Sequence, residues 1–426
     1  MKVVRMPVAE AQTQGPSGVA AALRALVPSA ASVQDGVREI VERVRTGGDE
    51  ALRELIRRHD TAGTDPLPIR VAPEELDDAI KKLDLDFVAG LQVTIGNVAS
   101  VAQASIRDDR RVDLPQGQRV TVRDIPVRSA AVYVPGGRAP YPSTVAMGVV
   151  TARAAGVLDV AVCAPPGPDG DVHPLILGTC RLAGVQTVYR MGGAHAVAAL
   201  AYGTDTVDRV DVIVGPGNLW VQEAKRQLSG VVGIDGFAGP SDLLVVMGDD
   251  AEPRLVALDL AAQAEHGPDT LVGALSPSAA ALDAVNAELD RLAEEHPGLA
   301  PAAFVLVHTP DARFALQAAD LFAPEHLQLV GADAEALAPL VQSAGCLFVG
   351  AESATAFGDY VAGSNHILPT GGAARFSSGL SPRHFRRQMN EVRIGSAAAR
   401  LAAAGAPIAR AEGFVVHAES MEARQN

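Results

Sequence analysis

AAVYVPGGRAPYPSTVAMGVVTARAAGVLDVAVCA (130–164) is the stretch that decides the fold, because two β-branched apolar runs flank a segment of helical pattern. Six further runs repeat the arrangement, namely TVYR (187–190), VDVIV (210–214), LLVVM (243–247), LVGAL (271–275), FVLV (304–307) and CLFV (346–349). Runs that are apolar throughout indicate strands buried on both faces of a parallel sheet. Their alternation with helical segments predicts βαβ crossovers and a doubly wound α/β fold in two units.

Helical segments surround this α/β region in the sequence. Apolar residues at helical period predict four N-terminal helices, over residues 37–45, 49–59, 73–82 and 84–107. Glycines at 47 and 48 and prolines at 66 and 68 separate them. After Pro382 the pattern predicts an arginine-rich and then an alanine-rich helix, a tail that packs on another body. FAGPSD (237–242) is the best candidate for a crossing between two domains.

Composition limits the function classes. The chain has 426 residues, enough for two or three domains, and carries 36 basic against 50 acidic side chains, a net charge of −14. Nucleic acid and anionic membranes favour basic proteins, so neither is expected as the main partner. The most apolar stretch, 143–166, is interrupted by Arg153 and Asp159, and the N-terminus has no signal-peptide core. We therefore expect a cytoplasmic protein without a membrane span.

The cysteines agree with this compartment. Cys163, Cys180 and Cys346 lie among small apolar residues and have no metal-type spacing. Buried free thiols in a reducing compartment are the favoured interpretation.

Common catalytic signatures are absent from the sequence, which has no Walker A loop, no G-x-S-x-G nucleophile elbow and no H-E-x-x-H zinc helix. A partial glycine motif, Gly215-Pro-Gly217-Asn218, follows one apolar run and precedes a helical segment over 219–228. Backbone N–H groups at such a helix start can hold a phosphate, with Asn218 as the N-cap. A tight strand-to-helix turn without a ligand explains the motif equally well.

Two segments offer paired polar side chains. Gln263 and His266 are three residues apart near a helix end, so they share a face on which both can grip one ion or substrate. A histidine that only satisfies the helix dipole is the favoured alternative for a lone residue. Glu325 and His326 form a workable acid–base pair near neutral pH if both converge on a substrate. The alternative is a loop with two solvated side chains.

Two more segments complete the candidates. Asp359 and His366 lie in the glycine-flanked AFGDYVAGSNHILPT (356–370), where either can face a site, or Asp359 can cap a local turn. Glu412 and His417 lie in AEGFVVHA (411–418), where surface decoration of a terminal helix is the simplest interpretation. An oxygen and nitrogen ligand set without thiolate suits a catalytic zinc, manganese or cobalt ion, and the set is Gln263, His266, Asp359 and His417. Sequence spacing alone does not connect these four.

A resemblance connects them. The matching blocks, in order along the chain, are YVPGG (133–137) with PST (142–144), GGAHAVAALAYGT (192–204), VGPGN (214–218), EAKR (223–226), GIDGFAGPSD (233–242), DLAAQAEHGPD (259–269), APEHL (323–327), GDYVAGSNHILPT (358–370) and AEGFVVHA (411–418). Together they resemble the histidinol dehydrogenase family, from about residue 20 to the end of the chain. The chain departs from the family pattern at His195, where the family usually has glutamine, and over VVTARAAG (149–156).

The resemblance implies oxidation of L-histidinol through L-histidinaldehyde to L-histidine, with reduction of two NAD⁺, in a homodimer that binds zinc. It also implies two incomplete Rossmann-like doubly wound domains with helical N- and C-terminal extensions. The corresponding ranges are 1–27 for the N-terminal extension, 28–132 with 242–380 for the first domain, 133–241 for the second, and 381–426 for a tail that packs on the partner subunit.

The family's functional residues map onto matching positions. The resemblance implies that the zinc ligands are Gln263, His266, Asp359 and His417, the last from the neighbouring subunit. It implies that Glu325 and His326 are the acid–base pair and that Ser241 and Glu412 contact substrate, together with His326 and the metal ligands. The implied NAD contacts are Tyr133, His195 and Asn218.

Three other functions compete with this one. A related dehydrogenase acting on another hydroxyl compound, such as sulfopropanediol, would separate from it by substrate preference. A zinc hydrolase, in which Glu325 or His326 activates water, would need no nicotinamide. A non-catalytic metal-binding oligomer would bind zinc without turnover.

Overall fold

The computed structural model describes residues 3–27, 33–136, 139–236, 239–299 and 302–425, which form three sheets and their covering helices. The strands are β1 (Val3–Met6), β2 (Arg110–Asp113), β3 (Arg119–Pro126), β4 (Ser129–Tyr133), β5 (Asp159–Ala164), β6 (Thr187–Arg190), β7 (Val212–Val214), β8 (Gly233–Ile234), β9 (Asp242–Met247), β10 (Leu271–Ser276), β11 (Ala303–His308), β12 (His326–Val330), β13 (Cys346–Val349) and β14 (Arg386–Arg393). The helices are α1 (Val8–Arg24), α2 (Gln34–His59), α3 (Pro73–Ile80), α4 (Leu85–Ala104), α5 (Pro142–Ala154), α6 (Pro174–Leu182), α7 (Gly193–Tyr202), α8 (Leu219–Leu228), α9 (Pro253–Ala264), α10 (Ala279–Glu295), α11 (Ala312–Phe322), α12 (Ala332–Glu335), α13 (Thr355–Tyr360), α14 (Ala398–Ala411) and α15 (Val415–Glu422).

A large parallel sheet has the strand order β1-β11-β10-β9-β12-β13. Counted from β9, successive strands take the positions 3-2-1-4-5, which is a Rossmann order without its sixth strand, and β1 adds to one edge. Side chains alternate between two buried layers, because Leu243 and Val245 pack against α9 and α10 whereas Leu244 and Val246 pack against α1 and α11. Burial on both faces explains why these strands read as continuous apolar runs.

A smaller parallel sheet has the order β6-β5-β4-β7-β8, again 3-2-1-4-5 when counted from β4. Helices α2, α7 and α8 cover one face, and α3, α5 and α6 cover the other. The predicted fold class, two incomplete Rossmann-like units with helical extensions, is confirmed.

The domain boundaries remain a prediction, but the packing of the N-terminal helices differs from the predicted grouping. Strand β4 begins at Ser129, and α2 and α3 pack on the helices of the small sheet, whereas the prediction groups 28–132 with 242–380. Strand β1, from the N-terminal extension, joins the large sheet. The chain returns to the large sheet at β9, as FAGPSD (237–242) indicates, but Phe237 and Ala238 lie outside the described residues.

The arginine-rich segment after Pro382 corrects one prediction. The pattern predicts a helix there, but residues 386–393 form β14, which pairs antiparallel with β3 in a third sheet of order β14-β3-β2. The strand pattern is masked because six of its eight residues are exposed, so no alternation of buried apolar residues marks it. The alanine-rich segment that follows is helical as predicted, and its α14 packs against α15.

Two further predictions concern helices and thiols. The expected break at Gly47 and Gly48 is a kink inside α2, where Gly48 has φ 54°. Although the sequence predicts no membrane span, one of the described helices, α4, has the length and apolar composition of one, with a mean hydropathy of 1.4. In the structure α4 packs on α5. Cys163 and Cys180 are buried free thiols as predicted, whereas Cys346 is half-buried.

Candidate active site

One cleft of about 870 Å³ lies between opposite edges of the two parallel sheets. The small sheet presents the carboxyl ends of its strands, beyond the point between β4 and β7 where strand order reverses, which is where doubly wound sheets bind ligands. The large sheet presents the amino ends of β9 and β12. Eight of the eleven predicted site residues line this cleft: Tyr133, His195, Asn218, Ser241, His266, Glu325, His326 and Asp359.

Glu325 lies immediately before β12 and is fixed by the start of β9. The Glu325 N–H donates to Asp242 Oδ1 at 2.6 Å, and the Asp242 N–H donates to Glu325 Oε2 at 3.1 Å. The Ser241 hydroxyl also donates to Glu325 Oε2. These bonds set the Glu325 carboxylate at the amino edge of the large sheet, so strand pairing itself positions a catalytic candidate.

His326 is buried beside three polar groups. Its Nε2 is 3.5 Å from Asp359 Oδ1, and its Nδ1 is 3.3 Å from Gln263 Nε2 and 3.8 Å from Glu325 Oε2. Burial lowers the pKa of His326, but the hydrogen bond to Asp359 and the nearby carboxylates outweigh burial and raise it above its usual value. An imidazole so placed between carboxylates can exchange a proton with a substrate in the cleft.

His266 and Asp359 form the centre of a candidate metal site. His266 follows the end of α9, where Gly267 has φ 136° and turns the chain, and its Nε2 is 3.9 Å from Asp359 Oδ2. Burial raises the pKa of Asp359, but the imidazoles of His266 and His326 outweigh burial and place it well below its usual range. Asp359 is therefore an anion able to bind a cation.

The side chains of one chain supply only part of the ligand set that zinc needs. Among the described residues no three His, Cys, Asp or Glu side chains surround a common point. Gln263 is the third predicted ligand; its Nε2 donates to Ser241 Oγ at 2.6 Å, so its Oε1 is the atom that it can offer to a metal. Zinc takes at least four ligands, so a further position is open to a group from outside the chain.

Glu412 and His417 do not reach this cleft within one chain. Both are exposed, and the His417 ring lies 5.2 Å from that of Phe414 on the tail formed by α14 and α15. Three of the four predicted metal ligands are therefore brought together, and the tail histidine is not.

The small sheet contributes the glycine turn from Gly215 to Asn218 to the cleft. Asn218 Oδ1 accepts the N–H groups of Trp220 and Val221, which confirms it as the N-cap of α8. The Gly215 N–H donates to Asp235 Oδ2 at 2.7 Å. Since side chains already use these three N–H groups, the tight-turn interpretation of Gly215 to Asn218 is favoured over a phosphate cradle made by them. Tyr133 is buried at the end of β4.

His366, a candidate from the sequence, lines the cleft, and its ring bridges the Asp359 carbonyl and Thr144 Oγ1, each at 3.0 Å. Two acidic residues in or beside the cleft have no role in the sequence-based prediction. Asp60 lies beside His195, and Asp242 lies beside Glu325. Isolated acidic residues in helical or strand patterns carry no signal of such partners, because the partners are distant in the sequence.

The sequence profile of the histidinol dehydrogenase family matches residues 26–425. The chain belongs to the histidinol dehydrogenase family. It is similar to the histidinol dehydrogenase of Thermus thermophilus, with 43% identity over 92% of this chain and 95% of the relative. For the enzyme of Parasynechococcus marenigrum the identity is 41% over 92% and 91%. The crystal structure of histidinol dehydrogenase from Elizabethkingia anophelis superposes with a TM-score of 0.90 at 28% identity, covering 99% of this chain and 98% of that one.

Family membership confirms the resemblance seen in the sequence blocks. Histidinol dehydrogenases catalyse the final oxidation steps of histidine biosynthesis, and the chain is an NAD-dependent oxidoreductase. This favours the dehydrogenase over the zinc hydrolase, the sulfopropanediol enzyme and the non-catalytic oligomer.

Proposed function

We propose that the chain oxidises L-histidinol through L-histidinaldehyde to L-histidine, with two NAD⁺ and one zinc ion per subunit, in a cytoplasmic homodimer with shared active sites. The observation that carries the proposal is the cleft itself, in which a histidine and carboxylate cluster on the large sheet faces the switch point of the small sheet. When bound, NAD⁺ supplies the hydride acceptor and zinc orients and polarises the substrate, chemistry that side chains alone do not provide.

The proposed zinc ligands are Gln263, His266, Asp359 and His417 of the partner subunit. The proximity of His266 to an ionised Asp359 supports the first part of this set. The partner's His417 enters the set through the resemblance to the family, and its exposure on the tail supports a role toward another chain.

His326 and Glu325 handle the protons. His326 accepts the proton of the substrate hydroxyl in the first oxidation, and Glu325 accepts a proton from the water that adds to the aldehyde. Burial of both side chains around one cleft retains the aldehyde and limits its escape to water. Ser241 and the partner's Glu412 would contact the substrate, together with the metal ligands.

On the cofactor side, Tyr133, His195 and Asn218 are the proposed NAD contacts. All three line the cleft along the carboxyl edge of the small sheet. The zinc and acid–base candidates lie instead at the edge of the large sheet. This arrangement supports a division in which the small sheet binds NAD and the large sheet binds substrate.

Exposed apolar side chains support the shared site. Leu255 and Leu258 on α9 and Phe357 and Tyr360 on the adjoining α13 are exposed near the metal candidates. The tail exposes its own apolar group, Ile408, Phe414, Val415 and Val416, around His417. Pairing the tail of one copy with the α9–α13 surface of another would cover both groups and deliver His417.

The decisive experiment measures NADH formed per histidinol consumed. The purified dimer should form two NADH per L-histidinol, lose activity on chelation and regain it with zinc. His326→Asn, loaded with the same zinc content, serves as the inactive control. One NADH per substrate, activity that survives complete zinc removal, or a preference for sulfopropanediol would each contradict the proposal.

A further inference from the structure

A buried carboxylate touches the glycine turn that follows β6. Asp60 comes directly after α2, and its side chain is 6% exposed. Its Oδ2 accepts the Gly192 N–H at 2.9 Å and lies 3.0 Å from Nε2 of His195, whose side chain is 2% exposed. A carboxylate only accepts hydrogen bonds, so Nε2 is the donor and Nδ1 is the nitrogen that can meet a ligand. Asp60 and His195 both line the cleft.

The turn is packed tightly enough for this contact to matter. The Gly193 N–H donates to Tyr133 Oη at 3.0 Å, and Gly193 has φ 58°, a conformation that favours glycine. A Cβ at Gly192 would lie 2.5 Å from Pro165 Cβ. The His195 ring lies against Gly193, with Nδ1 3.2 Å from the place a Cβ would take. The position of the His195 imidazole is therefore coupled to the conformation of the Gly192–Gly193 turn.

We propose that Asp60 is a positioning residue for the cofactor: through Gly192 and His195 it fixes the wall of the cleft against which NAD(H) binds. The inference rests on the proposed cofactor site. Asp60 reaches the cofactor through the turn and the imidazole, and the groups assigned to zinc and proton transfer belong to the other sheet. Loss of the Asp60 carboxylate should therefore weaken NAD(H) without weakening zinc or histidinol.

Asp60→Asn is the matched perturbation, because asparagine has nearly the same volume and retains one acceptor oxygen. It removes the charge, whereas an amide oxygen in the place of Oδ2 can still accept both N–H groups, although more weakly. Hydrogen bonds to charged groups are the stronger class, so we expect the Kd for NADH to rise about 10-fold. The KM for NAD⁺ should rise much more than kcat falls.

The measurement has a built-in reporter. Trp220 is the single tryptophan of the chain and lines the cleft at the start of α8, so NADH binding should quench its emission. Titrations with NADH would compare the wild-type zinc enzyme with Asp60→Asn, His195→Ala and the double variant. Asp171→Asn is the control, because Asp171 bonds Arg190 at the end of the same strand β6 and does not line the cleft.

The results distinguish two failures. The inference expects a weaker NADH complex in Asp60→Asn and an unchanged one in Asp171→Asn. The double variant should lose less than the sum of the two single losses in binding free energy, because the two side chains act as a pair. If Asp60→Asn does not fold, His195→Ala should show the same loss. Normal NADH affinity in folded Asp60→Asn, an equal loss in Asp171→Asn, or a parallel loss of histidinol affinity or zinc would overturn the inference. A wild-type enzyme that neither binds NADH nor oxidises histidinol would instead overturn the proposed function.

Discussion

Replacing His417 by alanine removes one proposed zinc ligand from the tail, whereas Asp359→Ala removes one from the cleft. His417 is exposed and does not line the cleft of its own chain, so each complete site needs the cleft of one subunit and the tail of the other. In a dimer of one His417→Ala chain and one Asp359→Ala chain, one cleft keeps Asp359 and receives an intact His417. The other cleft lacks both ligands.

Random pairing of the two chains determines how much activity the mixture should recover. Random pairing of equal amounts gives about half mixed dimers, and each has one complete site out of two, so activity should return to about one quarter of wild type. Each variant alone should lose about 100-fold or more, because even residues that only support metal ligands cost 10–100-fold.

Co-expression with two different tags isolates the mixed dimer, in which recovery should rise to about one half of wild type because each molecule has one complete site out of two. NADH formation with histidinol together with zinc content measures this recovery. The control pairs His266→Ala with Asp359→Ala, because both changes lie on the cleft side and leave every mixed site short of one ligand. Equal recovery in the control would refute the reasoning. So would verified mixed dimers of His417→Ala and Asp359→Ala that remain inactive.

Three further variants test single features. His326→Asn should slow turnover about 10²–10⁴-fold because the proposed general base is lost, and zinc content should stay near one per subunit; wild-type rates would rule out the role. Gly358→Ala should weaken zinc binding in a competition titration, because the new Cβ would lie 2.5 Å from Phe348 Cζ and displace α13, and unchanged affinity would contradict this. Burial and the charge of Glu325 raise the pKa of Asp242 from 3.8 to about 7, so the folded state gains a proton there and loses stability as pH rises through this window. Asp242→Asn should remove that loss, seen as a Tm that gains on wild type between pH 4 and pH 8; parallel Tm curves would argue against it.

Much of the fold could be predicted from the sequence, because its strands are buried on both faces. Apolar runs at 130–134 and 243–247 are the central strands of the two sheets, and their order follows from right-handed crossovers. Strand β14 is not predicted because six of its eight residues are exposed and its sequence shows no apolar alternation. Its pairing with β3 joins segments more than 250 residues apart, and no local pattern encodes such a contact.

The candidate site, like the fold, could be predicted only in part from the sequence. His266, Glu325, His326 and Asp359 carry recognisable chemistry, and the resemblance to the family links them although they are far apart in the chain. Asp60 and Asp242 could not be predicted, because their roles come from backbone N–H groups of residues far along the chain. The place of His417 depends on a second molecule, which a pattern within one sequence does not describe.

Because the cofactor and substrate candidates lie on edges of two different sheets, substrate specificity can evolve separately from cofactor binding. Proposed coenzyme recognition uses Asp60 and the segment between Ser129 and Asp235, and proposed substrate chemistry uses the segments from Ser241 onward. New specificity can therefore arise by altering the second part while the redox half is inherited intact. A chimaera that grafts the later segments of a relative onto this nucleotide-binding half should oxidise the relative's alcohol with this chain's own preference for coenzyme.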